Sequence, residues 1–245
     1  MRYLFKLLPF FLQSLLGNLL FKIRSPSLVS AKENYLFSDE DLKFIHILES
    51  VNYLKIAGIE GAIPHVYFEF GCHSGRTFSE AVKASKFLDI EDMEFFAFDS
   101  FSGLPDTDPN KDGVFKKGDF FTSKKDFIKI VKKKSRLELE EHQIIEGFFS
   151  ETLNAELQNK LPKAGIVHID VDLYSSTVEI LNFIKPLLSL GTVILFDDWY
   201  CFPVGEDKGE RLALKEFCKA NPKFQLEEWK NYSTFGKSFF VSSLP

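Results

Sequence analysis

The sequence has few cysteines, no excess of positive charge and no long apolar run, and each shortage argues against a class of protein. Its 245 residues include three cysteines and no Cys-x-x-Cys pair, which argues against a disulfide scaffold and favours a reducing compartment. Lys and Arg number 30 against 35 Asp and Glu, so a strongly cationic nucleic-acid binder is not expected. The composition, 45% hydrophobic and 27% charged, is typical of a globular protein.

The most apolar segment lies at the N-terminus and is too short to cross a membrane. The run over residues 7–21 contains Pro9, Gln13 and Gly17, whereas a spanning helix needs about 20 apolar residues. Basic residues flank the run on both sides, which is a poor arrangement for a signal peptide. Three interpretations of residues 1–24 stay open: an amphipathic helix on a membrane surface, an oligomerisation helix, or a helix packed on its own domain.

These features predict a helical extension over residues 1–38 and one domain over residues 39–245. The expected location is the cytoplasm, with peripheral membrane contact through residues 1–24 and homo-oligomerisation as open alternatives.

From residue 38 onward, short apolar runs alternate with segments of helical periodicity. Ser38 is predicted to cap a helix that extends to residue 56. Apolar runs follow at 66–70, 95–98, 143–145, 166–169 and 192–196, and helical segments at 76–87, 124–134, 150–160, 175–188 and 208–220. Two alternating stretches, 223–230 and 237–241, predict a terminal hairpin. The order predicts an α/β fold with a doubly wound, mostly parallel seven-stranded sheet and a C-terminal hairpin.

In such a sheet a ligand binds beyond the carboxyl ends of the strands, so the residues after each run are candidates. Gly71 and Gly75 lie in a turn between the first run and a helix, where a ligand can approach backbone N–H groups. Asp99 follows the second run and could accept hydrogen bonds from both hydroxyls of a ribose. Gly147 and Phe148 follow the third run and could border an adenine ring. Together they indicate an adenosine-containing cofactor; the alternatives are a plain turn, an aspartate that caps a loop, and a core phenylalanine.

Four aspartates follow the last two runs of the predicted parallel sheet. Asp170 and Asp172 come after one run, and Asp197 and Asp198 come after the other. Carboxylates gathered at adjacent strand ends repel one another unless a cation binds, and Mg²⁺ prefers hard oxygen ligands. The alternative is that they cap helices in contact with solvent. His168 shares a strand face with Asp170 but lies one step deeper, which predicts a hydrogen-bonded core histidine.

Five segments in this order, FEFGCHSG, FDSFSGLPD, EGFFSETL, HIDVDLYSSTVEIL and GTVILFDDW, resemble the macrocin O-methyltransferase family. These class I enzymes use S-adenosylmethionine to methylate sugar hydroxyls. The resemblance extends over about residues 60–219 and implies a Rossmann-like methyltransferase fold, with S-adenosylmethionine and Mg²⁺ as cofactors. It implies Asp170, Asp197 and Asp198 as metal ligands and Asp172 as general base. The cofactor-binding residues that it implies are Glu69, Gly71, Ser74, Gly75, Arg76, Thr77, Asp99, Ser100, Phe101, Gly147 and Phe148.

The predicted activity is a metal-assisted O-methyl transfer to a hydroxyl of a sugar or glycoside. A bound Mg²⁺ would lower the pKa of the hydroxyl and align it with the methyl group, and Asp172 would take the proton. Two other functions stay open: a metal-dependent glycosyltransferase that uses the Asp-x-Asp motif, and a catalytically inactive, membrane-associated assembly protein of the same fold. The expected partner is a small molecule or glycan, and not a nucleic acid.

Overall fold

The computed structural model describes residues 38–58, 63–108, 115–202 and 208–245. The predicted N-terminal extension, with its membrane or oligomer contact, lies outside them except for Ser38. The chain divides into two compact units, Met1–Leu42 and Lys43–Pro245. In the first unit, Ser38 Oγ accepts the N–H of Asp41 at 3.2 Å, so Ser38 is the predicted helix cap. No helix of the described ranges is long and apolar enough to span a membrane.

The elements follow one another in the predicted order. The helices are α1 (Asp39–Gly58), α2 (Arg76–Phe87), α3 (Lys124–Ser135), α4 (Phe149–Thr152), α5 (Ala155–Gln158), α6 (Tyr174–Ile184) and α7 (Gly209–Ala220). The strands are β1 (Val66–Phe70), β2 (Glu94–Asp99), β3 (Ile144–Glu146), β4 (Ile166–Ile169), β5 (Val193–Phe196), β6 (Gln225–Asn231) and β7 (Lys237–Ser243). Short 3₁₀ helices cover Glu141–Gln143 and Lys185–Leu187.

The strands form one seven-stranded sheet in the order β3-β2-β1-β4-β5-β7-β6. The first five strands of this order are parallel, and β7 is antiparallel to both β5 and β6. The predicted α/β fold, with a mostly parallel sheet and a C-terminal hairpin, is therefore confirmed. All parallel strands end at the same edge of the sheet, and the residues predicted to be functional lie at that carboxyl edge.

Two of the predicted helices differ from the structure. The segment 150–160 is not one helix, because Asn154 separates α4 from α5; its Oδ1 accepts the N–H of Leu157 at 3.0 Å and caps α5. The segment 175–188 is α-helical only to Ile184. It then continues as a 3₁₀ turn because Pro186 has no N–H to donate to the preceding helical turn.

Both faces of the sheet are covered by apolar side chains. Phe68 and Phe70 belong to one cluster, which α6 and α7 complete, whereas Tyr67 and Phe95 belong to the other, which includes residues of α1, α2 and α3. Successive residues of a strand point to opposite faces, so a strand buried on both faces is mostly apolar. This is why the central strands could be found as continuous apolar runs.

Candidate active site

The turn after β1 passes very close to the end of β4. Gly71 has φ +82°, and a Cβ at this position would lie 1.8 Å from the backbone oxygen of Asp170. The Gly71 N–H also donates to the oxygen of Phe98, at the end of β2, at 2.9 Å. Only glycine fits here, because any side chain would overlap the Asp170 carbonyl. The turn therefore joins the ends of three strands.

The same turn leads directly into α2. Gly75 has φ +65° and immediately precedes α2, and a Cβ there would lie 2.8 Å from Val131 of α3. Ser74 and Thr77 are half-buried around this helix start, and Arg76 is exposed. The start of a helix presents unpaired N–H groups, which suits a carboxylate or another anionic group of a ligand.

Asp99 holds the backbone of this turn in addition to its predicted contact with a ribose. Its Oδ2 accepts the N–H groups of Cys72 and His73, both at 2.8 Å, and its Oδ1 accepts the N–H of Phe101 at 2.7 Å. Burial raises the pKa of Asp99, and the three N–H donors act against that rise. A carboxylate has about four acceptor positions, so Asp99 can still accept a ligand hydroxyl.

The other predicted cofactor residues surround Asp99. The Ser100 hydroxyl donates to the Gly103 backbone oxygen in the following loop at 2.7 Å. Phe101 is 4% exposed and packs against α3. The Gly147 N–H donates to the backbone oxygen of Asp99 at 3.0 Å, and half-buried Phe148 immediately precedes α4. The structure thus brings the predicted residues of β1, β2 and β3 together; their roles toward the cofactor stay predictions.

Glu69 and His168 form a charged pair beneath the site. Both are 1% exposed, and His168 Nδ1 lies 3.6 Å from Glu69 Oε2, which also accepts the hydroxyl of Tyr67. His168 Nε2 lies 3.8 Å from Asp197 Oδ1. Burial disfavours the imidazolium, but Asp197 and Glu69 raise the pKa of His168 to about 10. The predicted core histidine is buried, and it lies between two carboxylates that favour its charged form.

Three of the predicted aspartates meet at the ends of β4 and β5. Asp170, Asp197 and Asp198 each have a carboxylate oxygen within 4.8 Å of those of the other two. The fourth, Asp172, donates its N–H to Asp198 Oδ2 at 3.2 Å. Its φ of +60° lies in the left-handed region, which aspartate tolerates better than most residues. The oxygens are close enough for one small cation to face three carboxylates at once.

The aspartate cluster is electrostatically strained. Burial and neighbouring carboxylates raise the pKa of Asp170 and of Asp198, and they raise the pKa of Asp172 to about 9. Asp197 differs, because two cationic side chains hold its pKa below the usual range against the effect of burial. The cluster therefore holds more carboxylates than its surroundings can keep ionised.

Three further residues of the site were not predicted from the sequence. Lys43 of α1 donates to Asp197 Oδ2, and nearby carboxylates raise the pKa of Lys43 although burial acts against its charge. The Tyr232 hydroxyl donates to Asp197 Oδ1 at 3.1 Å. Glu210 of α7 accepts the N–H of Asp198 at 3.1 Å. Their separations along the chain from the aspartates that they contact are 154, 35 and 12 residues, and no motif distinguishes them from ordinary polar residues.

The residues present fit a divalent cation. The carboxylates of the cluster and its border are Asp170, Asp172, Asp197, Asp198 and Glu210, and the cations beside them are Lys43 and His168. Glu210 Oε1 is buried and has no hydrogen-bond partner in the part of the chain that the structure describes. Hard oxygen donors with excess negative charge are the surroundings in which Mg²⁺ binds.

Several solved structures of methyltransferases are similar to this fold. The O-methyltransferase NovP superposes with a TM-score of 0.64 at 19% identity, over 82% of this chain and 80% of NovP. CalS11, a calicheamicin methyltransferase, superposes with a TM-score of 0.62 at 19% identity, over 93% of this chain and 92% of CalS11. The apo form of CalS11, a TDP-rhamnose 3′-O-methyltransferase, superposes with a TM-score of 0.55 at 18% identity, over 90% of this chain and 89% of CalS11.

The sequence itself identifies the family. The sequence model of the macrocin-O-methyltransferase (TylF) family matches residues 48–222, so the chain belongs to that family. It is therefore an S-adenosylmethionine-dependent methyltransferase, as the resemblance over about residues 60–219 implied. Among proteins with curated annotation, none matches the sequence significantly.

Proposed function

We propose that this enzyme methylates a hydroxyl of a sugar or glycoside and that Asp170, Asp197 and Asp198 hold a Mg²⁺ ion for the reaction. The observation that carries the proposal is the contact between Gly71 and the backbone of Asp170. It joins the predicted cofactor turn directly to the aspartate cluster. Family membership and the TDP-rhamnose activity of CalS11 support a sugar as acceptor.

The cofactor half of the site, at the ends of β1, β2 and β3, orients the ligand rather than providing charge. We assign Asp99 to the ribose hydroxyls and the turn from Gly71 to Gly75 to the methionine part, with Gly147 and Phe148 beside the adenine. Asp99 is oriented by three backbone N–H groups, so its carboxylate is already in place before a ligand arrives. A preorganised acceptor loses little entropy when the ligand binds.

The aspartate half supplies the chemistry at the acceptor. When bound, S-adenosylmethionine supplies an activated methyl group, and Mg²⁺ supplies positive charge that makes a nearby hydroxyl more acidic. Asp172 takes the proton of that hydroxyl. Its backbone is fixed by the bond to Asp198 and its side chain is half-buried, so it lies beside the aspartates that would hold the ion.

The alternatives named from the sequence are less well supported. Family membership favours methyl transfer over the glycosyltransferase alternative. The assembled set of Asp170, Asp172, Asp197 and Asp198 argues against an inactive protein, because carboxylates held so close together destabilise a fold that makes no use of them.

The test separates the cofactor from the metal. S-adenosylmethionine is titrated calorimetrically into the full chain with Mg²⁺ and with EDTA, and micromolar affinity is expected in both. Formation of S-adenosylhomocysteine is then followed with TDP-rhamnose and a panel of other nucleotide sugars and glycosides. Turnover is expected to stop in EDTA and to return with Mg²⁺. No binding of S-adenosylmethionine would refute the assigned cofactor site, and full turnover in EDTA would refute the metal role.

A further inference from the structure

Glu210 combines complete burial with an unsatisfied oxygen. It lies in the first turn of α7 and is 1% exposed. Its Oε2 accepts the N–H of Asp198, whereas its Oε1 has no hydrogen-bond partner within the described residues. Buried polar groups almost always have a partner, so an exception beside a candidate site points to a ligand.

Among the residues that the structure describes, no hydrogen-bond donor satisfies this oxygen. The ionisable groups that face it most strongly are Asp198, Asp197, Asp170 and Asp172, all of them carboxylates. The nearest cations of the cluster, Lys43 and His168, are directed to Asp197. The start of α7 favours a carboxylate through the helix dipole, but this gives Oε1 no hydrogen-bond donor.

We propose that Glu210 is a fourth acidic member of the metal centre, which positions Asp198 through Oε2 and accepts a hydrogen bond from the hydration shell of the cation through Oε1. The proposal rests on the proposed function, since it requires a cation at Asp170, Asp197 and Asp198. Mg²⁺ and Mn²⁺ keep several water ligands in protein sites, and carboxylates that bind such waters strengthen metal affinity. Glu210 is therefore a positioning residue and not a catalytic one.

The main experiment measures metal affinity without any acceptor. Mn²⁺ is titrated into the full chain, and free Mn²⁺ is followed by electron paramagnetic resonance, for the wild type, Glu210→Gln and Glu210→Ala. Gln keeps an acceptor for the Asp198 N–H but removes the charge. We expect it to weaken Mn²⁺ binding at least about tenfold, and Ala to weaken it further. Glu216→Gln, an exposed change on the same helix, serves as the matched control and should stay within about twofold.

A second readout distinguishes a metal-centre residue from a merely structural one. In EDTA, Glu210→Gln should melt no lower than the wild type, because it relieves a buried carboxyl group that lies beside other carboxylates. In excess Mn²⁺ the wild type should melt at the higher temperature, because it gains more from binding. The affinity for S-adenosylmethionine should be the same in both proteins.

The outcomes separate this proposal from the proposed function. If the wild type binds Mn²⁺ and Glu210→Gln binds it equally well, the role of Glu210 is overturned while the metal centre stands. A lower melting temperature of Glu210→Gln in EDTA, or an equal loss of affinity for S-adenosylmethionine, would also overturn it, because both indicate damage to the fold. If the wild type binds no Mn²⁺, the metal part of the proposed function fails, and this proposal fails with it.

Discussion

At the carboxyl edge of the sheet, the ends of β1 and β2 hold one carboxylate among backbone donors, whereas the ends of β4 and β5 hold several carboxylates close together. Asp99 receives three N–H groups within 2.8 Å. Asp170 and Asp198 face one another and Asp197, and burial raises the pKa of both. Backbone N–H groups orient the first carboxylate, and the second group of carboxylates fits the cation that we propose. The first part of the site therefore depends on the fixed position of one carboxylate, whereas the second depends on the combined charge of several.

The contact between the two halves should have the largest effect when it is broken. Gly71→Ala would place a Cβ 1.8 Å from the Asp170 oxygen at φ +82°. We expect a loss of about 4 kcal/mol in the free energy of unfolding, measured by urea denaturation. Gly118→Ala is the matched control, because Gly118 has φ +83° but no atom within 4 Å of the added Cβ. It should cost about 1–2 kcal/mol, and equal losses for the two variants would show that the close approach is unimportant.

The aspartate half should be separable from the cofactor half. Asp170→Asn and Asp198→Asn are each expected to abolish metal-dependent turnover and to weaken Mn²⁺ binding about 100-fold, or about 2.8 kcal/mol. S-adenosylmethionine affinity, measured by calorimetry, should stay within about twofold because its predicted contacts lie on β1, β2 and β3. Asp92→Asn, at an exposed aspartate, is the control. A parallel loss of cofactor affinity would mean that the two halves act as one.

The converse change tests the cofactor half. Asp99→Ala removes the acceptor of three N–H groups as well as the predicted ribose contact. We expect the affinity for S-adenosylmethionine to fall by about 1.5–3 kcal/mol, and Mn²⁺ affinity to be unchanged. Glu91→Ala, at an exposed residue just before β2, controls for loss of charge in this region. Unchanged cofactor affinity would contradict the assignment of Asp99.

Glu49, an ion-paired glutamate outside both halves of the site, should have the smallest effect on stability when it is replaced. His46 and Lys230 lower the pKa of Glu49 to about 2, although its side chain is 42% exposed and therefore screened. Because the folded pKa is below the unfolded value of about 4.5, its stabilisation is present above that pH and disappears as the pH falls toward 2. Glu49→Gln should cost about 0.5–1 kcal/mol at pH 7 and almost nothing near pH 2, by denaturant unfolding. A constant cost across this range would indicate a packing effect.

Much of the fold was predictable because its central strands are buried on both faces. A strand such as β5 is apolar throughout, and the polar residue that follows it, Asp197, marks the edge where ligands bind. The helix break at Asn154 was not predicted. The Asn154 side chain accepts the N–H of Leu157 and so replaces a helical hydrogen bond, and the apolar pattern of the sequence does not show this local contact. The division at residue 38 and the roles of the individual site residues stay predictions.

The partners of the aspartates were beyond the reach of the sequence. Lys43 and Tyr232 come from the two ends of the chain and meet at Asp197, and Glu210 reaches Asp198 from α7. In the sequence these are one lysine, one tyrosine and one glutamate among many. Which of them lies beside the cluster depends on how α1, α7 and the loop between β6 and β7 pack on the sheet.

By itself, the sequence determined the order of the elements, the parallel sheet and the four aspartates at its carboxyl edge, because burial imposes an apolar pattern that can be read locally. The tertiary structure alone decided which charges face one another. It set Gly71 against the Asp170 carbonyl, placed His168 between Glu69 and Asp197, and left one oxygen of Glu210 without a hydrogen-bond partner among the described residues. Electrostatic energy depends on distance and burial, and neither is encoded in the spacing of residues along a chain.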